Sequence, residues 1–243
     1  MEIAKKLSKA FDEKDIIKLH EFLQKQGMFK SGNRALDQVK KLEKLDAWST
    51  VEELNRKYSK LWDGPDVPIY IFPIQQGNLF SRGYSKSGIA FKDKMLLFLS
   101  PYLENEELEA LFVHEYHHIC RINAQKKTTL DFTLLDSMIM EGLAEYTVKD
   151  RVGEKNLARW TKMYSENQLL AYWKKYIQDD LQSTRKDKQH DSIMFGATGI
   201  PRMLGYCFGF YLVEKFYKNK HFSSKASFTI PSLKFLEEFL SEQ

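Results

Sequence analysis

Three of the six histidines of this 243-residue chain fall within five positions, in the run His114-Glu115-Tyr116-His117-His118. His114 and His118 are four residues apart, and side chains at this spacing project from the same face of an α-helix. Both imidazoles can therefore bind one metal ion, and Glu115 between them can take a proton from an attacking water. The segment predicts a metal-binding helix. The alternative is a helix whose histidines only face solvent.

His117 offers a second pairing, because it lies three residues after His114 and can share a face with it. We favour His118 as the partner, since this choice keeps Glu115 inside a His-Glu-x-x-His frame. His117 is then expected either to contact the site without binding the metal or to have a purely structural role.

A third ligand is needed, because catalytic zinc usually takes three protein ligands and keeps a fourth position for water. The next predicted helix, residues 131–150, has an inward stripe that includes Glu141 and Glu145. Carboxylates on such a stripe are costly unless something compensates their charge, and a zinc ion would do so. Two glutamates at a solvent boundary are the alternative. The pattern predicts one Zn²⁺ per chain.

The run His114-Glu115-x-x-His118 followed by Glu141-Gly142-Leu143-Ala144-Glu145 resembles the gluzincin branch of the zinc metallopeptidases. The resemblance implies that Glu141 is the third ligand. It also implies that Glu145 orients His114 without touching the metal.

With the later run Gly205-Tyr206-x-x-Gly209, the pattern is similar to a narrower bacterial family of unknown function, described as predicted zinc-dependent proteases. This likeness spans residues 65 to 220, and we identify none for the first 60 residues. Peptide hydrolysis also needs a donor to the developing oxyanion, for which Tyr206, His190 and Arg202 are candidates. The resemblance favours Tyr206, and a tyrosine that only packs in the core is the alternative.

A small sheet is predicted upstream of the histidines, because residues 67–72, 88–91 and 95–99 are β-branched and apolar. The last two runs flank a hairpin turn, and the run 95–99 is apolar on both faces, which predicts an inner strand. A small sheet among helices predicts an α+β, mainly helical fold, and the resemblance implies a zincin-like one. It also implies that a peptide substrate pairs with an edge strand at Gly88, Ile89 and Ala90. An ordinary hairpin is the alternative.

The first part of the chain, residues 1–62, has apolar residues at helical spacing and predicts a helical N-terminal extension. Ser49 is expected to open its last helix with a capping box, and Asp63-Gly64-Pro65 to end it. Gly205 and Gly209, four residues apart, predict close packing of a later helix on a neighbour. Residues 63–243 are expected to form the zincin-like metallopeptidase domain.

Composition narrows the partners and the location. The 37 basic and 33 acidic residues leave a formal charge of +4, and the lysines are scattered, which disfavours nucleic-acid binding. No apolar run has the length of a signal peptide or a membrane span. Cys120 and Cys207 are expected to be free buried thiols. We therefore expect a cytoplasmic protein with no membrane partner, while the sequence does not indicate its oligomeric state.

These patterns together predict a zinc-dependent metallopeptidase that acts on a peptide or protein, with Glu115 as the general base. The alternative is a non-catalytic module that binds peptides or proteins on the same scaffold. Peptide turnover by the zinc-loaded protein separates the two.

Overall fold

The structure is a computed structural model that describes residues 1–30, 32–75, 85–125 and 131–242. The described residues form eleven α-helices and three β-strands, so the α+β, mainly helical fold is confirmed. The strands are β1 (Ile69–Pro73), β2 (Lys86–Ala90) and β3 (Met95–Leu99). The helices are α1 (Glu2–Phe11), α2 (Ile16–Lys25), α3 (Asn33–Lys44), α4 (Ala47–Trp62), α5 (Asn105–Gln125), α6 (Leu134–Arg151), α7 (Glu166–Tyr172), α8 (Lys188–Phe195), α9 (Leu204–Tyr217), α10 (Ser224–Ser227) and α11 (Ser232–Ser241).

The sheet has the strand order β1-β3-β2. β1 runs parallel to β3, with Ile69 opposite Met95, and β2 runs antiparallel to β3, with Ala90 opposite Met95. The hairpin and the inner position of β3 are therefore confirmed. All five residues of β3 are buried, because helices cover both faces of the sheet.

Alternate residues of β3 point to opposite faces and pack into different clusters. Met95, Leu97 and Leu99 contact α4 and α5, whereas Leu96 and Phe98 contact α1 and α2. The helices of residues 1–62 therefore pack directly on both faces of the sheet. The division of the chain into an extension and a domain at residue 62 stays a prediction.

Helix α4 begins at Ala47, so the capping box predicted at Ser49 is wrong. Asp46 stands before the helix in a left-handed conformation with φ 53°, and its carbonyl accepts a hydrogen bond from the Thr50 N–H at 3.0 Å. Ala47 and Val51 are buried in the same cluster, and this packing favours helix ahead of Ser49. The helix ends at Trp62, with Asp63 as its left-handed C-cap, so the stop predicted at Asp63-Gly64-Pro65 is confirmed.

Helices α6 and α9 cross with their backbones in contact at Gly142 and Gly209. A Cβ atom at Gly209 would overlap the backbone of Met138, and one at Gly205 would lie 2.5 Å from the Met194 sulfur of α8. The close packing predicted for the two later glycines is confirmed. This crossing fixes α6 against α9, the helix that carries Tyr206.

None of the helices in the described ranges is both long and apolar enough to cross a membrane. Cys120 and Cys207 are buried free thiols, as the sequence predicts.

Candidate metal centre

Helix α5 holds the two motif histidines side by side. Its first turn contains Glu106 and Glu107, whose charges suit the positive end of the helix dipole. Tyr116 and Ile119 are fully buried on other faces of the helix and fix its rotation. The rings of His114 and His118 therefore share one face, with centroids 4.6 Å apart.

Helix α6 brings a carboxylate to these rings. It begins with a capping box in which the Thr133 hydroxyl accepts from the Asp136 N–H and the Asp136 carboxylate accepts from the Thr133 N–H. Glu141 Oε2 then lies 3.2 Å from His114 Nε2 and 3.5 Å from His118 Nε2. One ligand atom from each of the three residues lies within 4.8 Å of the other two.

The donor set and its spacing fit a zinc ion. Zinc takes imidazole nitrogens and carboxylate oxygens at about 2.0–2.1 Å in a tetrahedron, whose ligand atoms are then about 3.3–3.4 Å apart. The two contacts of Glu141 with the histidines, 3.2 and 3.5 Å, match this edge length. The residues present can therefore hold a zinc ion.

Charges in the centre are strongly coupled. Burial alone would raise the pKa of Glu141, but His118 and His114 outweigh it and hold the pKa well below its usual value. Burial opposes a charge on His114, yet hydrogen bonds with Glu141 and Glu145 raise its pKa well above the usual value. In the metal-free fold this coupling favours a charged His114 ring beside an ionised Glu141.

Glu145 supports His114 from the side away from the ligand atoms. Its Oε2 lies 2.9 Å from His114 Nδ1, and its Oε1 accepts a short hydrogen bond from the backbone N–H of Ala158. The carboxylate is almost completely buried. By contrast, His118 Nδ1 is buried without a hydrogen-bond partner in the part of the chain that the structure describes.

Glu115 lies against strand β2. Its carboxylate accepts a hydrogen bond from the backbone N–H of Ala90, on the edge of β2 that faces away from β3. Gly88 lies so close that a Cβ atom there would be 2.5 Å from Glu115 Cγ. Burial raises the pKa of Glu115, although His114 and His118 oppose the increase. The small size of Gly88 is thus required by Glu115, a reason that the sequence did not indicate.

The other strand residues predicted to bind substrate divide between the two faces of the sheet. Ala90 packs toward α5, and Ile89 points to the opposite face, among the residues that contact α1 and α2. Gly88 and Ala90 share the face of β2 toward α5, and among the described residues β2 is an edge strand. Substrate binding at Gly88, Ile89 and Ala90 stays a prediction.

Tyr206 reaches the centre from α9. Its hydroxyl is in hydrogen-bonding contact with Glu141. Burial raises the pKa of Tyr206 well above the usual value, and the charges of Glu141 and Glu115 raise it further. The hydroxyl therefore keeps its proton and can act as a donor.

The remaining candidates lie elsewhere. Both ring nitrogens of His190 are engaged, with Nε2 2.9 Å from Ser137 Oγ and Nδ1 2.8 Å from Asp191 Oδ1. Arg202 is exposed on the loop before α9. His117 Nε2 lies 3.0 Å from Ser227 Oγ.

Three neighbours of the centre carry no sequence signal. Ala158 acts through its backbone, which no side-chain pattern can indicate. Trp160 and Phe195 flank Tyr206, with ring centroids 5.3 and 5.7 Å away. Both lie in different parts of the chain from the motif, so only the folded structure brings them together.

The chain is similar to known proteins. The chain is 39% identical over 220 residues to the uncharacterized protein YjaZ of Bacillus subtilis (strain 168), covering 90% of this chain and 84% of that protein. This likeness includes part of the first 60 residues, for which the sequence pattern indicates no relative. No solved structure gives a significant match. The family model described as "Predicted Zn-dependent protease (DUF2268)" matches residues 47–237, and the chain belongs to this family.

Proposed function

We propose that this protein is a zinc metallopeptidase of the gluzincin type, with a zincin-like arrangement of the sheet and the two ligand helices. The observation that carries the proposal is the convergence of His114, His118 and Glu141, in which both contacts of Glu141 with the histidines match the edge of a tetrahedral zinc site. The description of the family as a predicted Zn-dependent protease supports the same assignment.

His114, His118 and Glu141 would hold the ion, with Glu145 fixing the orientation of His114. When bound, zinc supplies Lewis acidity, which makes water a nucleophile near neutral pH. The chain's own residues perform the proton transfers and position the substrate.

Glu115 is the general base. Its buried carboxylate has a raised pKa, which brings its basicity closer to neutral pH, where proton transfer is most effective. It takes a proton from the attacking water and delivers it to the leaving amine. Tyr206, protonated and next to Glu141, donates a hydrogen bond to the carbonyl oxygen of the scissile bond as that oxygen gains negative charge.

The edge of β2 that faces away from β3, which no other strand of the described residues pairs with, is the proposed binding site of the peptide backbone. It runs past Glu115, and an extended peptide can pair with an open strand edge through main-chain hydrogen bonds. In this arrangement the Ala90 N–H gives up its hydrogen bond to Glu115 and donates to the substrate instead. The Glu115 carboxylate is then free for proton transfer.

The test is digestion of an unfolded protein substrate by the purified full-length chain, before chelation, after chelation and after zinc is restored. We expect cleavage that is lost on chelation and recovered with zinc, and that is absent from His118→Ala. Zinc-loaded protein that binds peptides without ever cutting them would instead support a non-catalytic binding module. Protein that takes up no zinc would contradict the metal site itself.

A further inference from the structure

Tyr206 belongs to a row of three aromatic side chains next to the metal centre. The Trp160 ring packs against it in a near-perpendicular arrangement, and the Phe195 ring is tilted by 45° from it with the centroids 5.7 Å apart. Tyr206 itself contacts Glu141. Phe195, the last residue of α8, is 49% exposed. We call Trp160, Tyr206 and Phe195 the aromatic wall.

The helix that carries Phe195 is anchored to the metal-centre helices at two points. His190 of α8 is 1% exposed, and its Nε2 lies 2.9 Å from the Ser137 hydroxyl of α6, one helical turn before Glu141. Met194 of α8 packs on Gly205 of α9, which has no side chain to hold it away. The position of α8 is therefore set relative to both Glu141 and Tyr206.

The backbone that follows Phe195 is fixed as well. The Met203 N–H donates to the Phe195 carbonyl at 3.0 Å, and the Ile200 N–H donates to the Ala197 carbonyl at 2.9 Å. The Tyr164 hydroxyl donates to the Arg202 carbonyl at 2.7 Å. Phe195 thus has a half-exposed ring on a fixed backbone, which presents an apolar surface already ordered for a ligand.

Distance relates this surface to the reaction. The ring centroids of Phe195 and Tyr206 are 5.7 Å apart, less than the roughly 6.6 Å that two residues of an extended peptide span, so a substrate whose scissile carbonyl meets Tyr206 can reach Phe195 with a side chain within about two residues. Resting on the proposed function, we propose that Phe195 forms an apolar subsite. It selects peptides with an aromatic or bulky aliphatic side chain within two residues of the scissile bond. Contact between such a side chain and Phe195 removes apolar surface from water on both partners.

The experiment uses the zinc-loaded full-length protein and a complex mixture of peptides from a digested proteome, with the cut sites identified by mass spectrometry. We expect Phe, Tyr, Leu and Met to be enriched at one fixed position near the cut bond. Phe195→Ala is expected to lower kcat/KM about 10-fold for the best aromatic peptide, the size of effect that apolar pockets produce. For a peptide with alanine at that position, the same substitution is expected to change kcat/KM less than about twofold.

Two variants serve as controls. Phe195→Leu keeps an apolar surface and is expected to retain the preference. Tyr102→Ala removes an aromatic ring that is 72% exposed beside Lys41 of α3, and it is expected to leave kcat/KM unchanged for both peptides. Cleavage without apolar enrichment, or enrichment that persists in Phe195→Ala, would overturn the subsite and leave the proposed function standing. If the wild type cuts no peptide at all, the proposed function fails and the subsite with it.

Discussion

Glu115 and Gly88 are in direct contact, so the proposed general base lies against the residue of β2 that has no side chain. A Cβ atom at residue 88 would lie 2.5 Å from Glu115 Cγ and 2.6 Å from Oε1. The contact crosses from α5 to β2 and fixes where the carboxylate stands relative to His114 and His118. Strand β2 therefore restricts the positions from which the Glu115 carboxylate can transfer a proton.

Gly88→Ala is therefore expected to displace the Glu115 carboxylate while leaving the three ligands in place. A misplacement on the order of 1 Å costs about 100-fold in rate, so kcat should fall by about 10- to 100-fold with zinc content unchanged. Kinetics and elemental analysis of the purified variant check this. The control is Ser87→Ala, one residue earlier and on the opposite face of the strand. Wild-type kcat in Gly88→Ala would contradict the contact.

Removal of the support behind His114 is expected to weaken zinc binding less than removal of a ligand. Glu145 contacts His114 Nδ1 and the Ala158 backbone, whereas Glu141 lies between the two Nε2 atoms. Glu145→Ala should lower zinc affinity by roughly 10- to 100-fold, and Glu141→Ala by more. Competition with a metal-binding dye gives both values. The reverse order would make Glu145 the direct ligand.

Zinc binding is expected to release a proton. The pKa of His114 is raised above its usual value in the metal-free fold, because the hydrogen bonds with Glu141 and Glu145 outweigh burial, so the ring carries a proton at neutral pH. The ion pair stabilises the metal-free fold below the unfolded pKa of histidine, and this stabilisation is lost as the pH rises through the raised pKa. Zinc needs the neutral ring, so apparent affinity should increase with pH up to that value.

Calorimetry of zinc binding in buffers of different ionisation enthalpy measures this release. We expect about one proton per zinc near neutral pH and a smaller release for Glu145→Gln, which removes one of the two carboxylates. Binding heats that do not depend on the buffer would show that His114 is already neutral.

A side chain at Gly209, where α6 and α9 cross, is expected to lower the stability of the fold. Gly209 touches the Met138 backbone, so Gly209→Ala has to move one helix against the other. Overpacking of this kind lowers the free energy of unfolding by about 1–3 kcal/mol. Thermal denaturation of the metal-free protein checks it. An unchanged melting temperature would contradict this prediction, because it would mean that moving the two helices apart does not lower the free energy of unfolding.

Much of the centre follows from the sequence because helix periodicity is local. The spacing of His114 and His118, and the inward stripe that contains Glu141 and Glu145, depend only on residues a few positions apart. The start of α4 at Ala47 could not be predicted, because burial of Ala47 in the core outweighs the local capping signal at Ser49. The contacts of Gly88 and Phe195 likewise join elements far apart in the chain, and packing alone brings them together.

The most direct measurement of the proposed chemistry is made on Glu115→Gln beside the wild type. The amide has nearly the same shape, so zinc content and melting temperature should be retained, while peptide cleavage should fall by at least the ~10²–10⁴-fold of a positioned proton-transfer group. The matched control is Glu106→Gln, an exposed glutamate of the same helix paired with Lys155, and it should cleave like the wild type. Full cleavage by zinc-loaded Glu115→Gln would contradict the assignment of Glu115 as the general base.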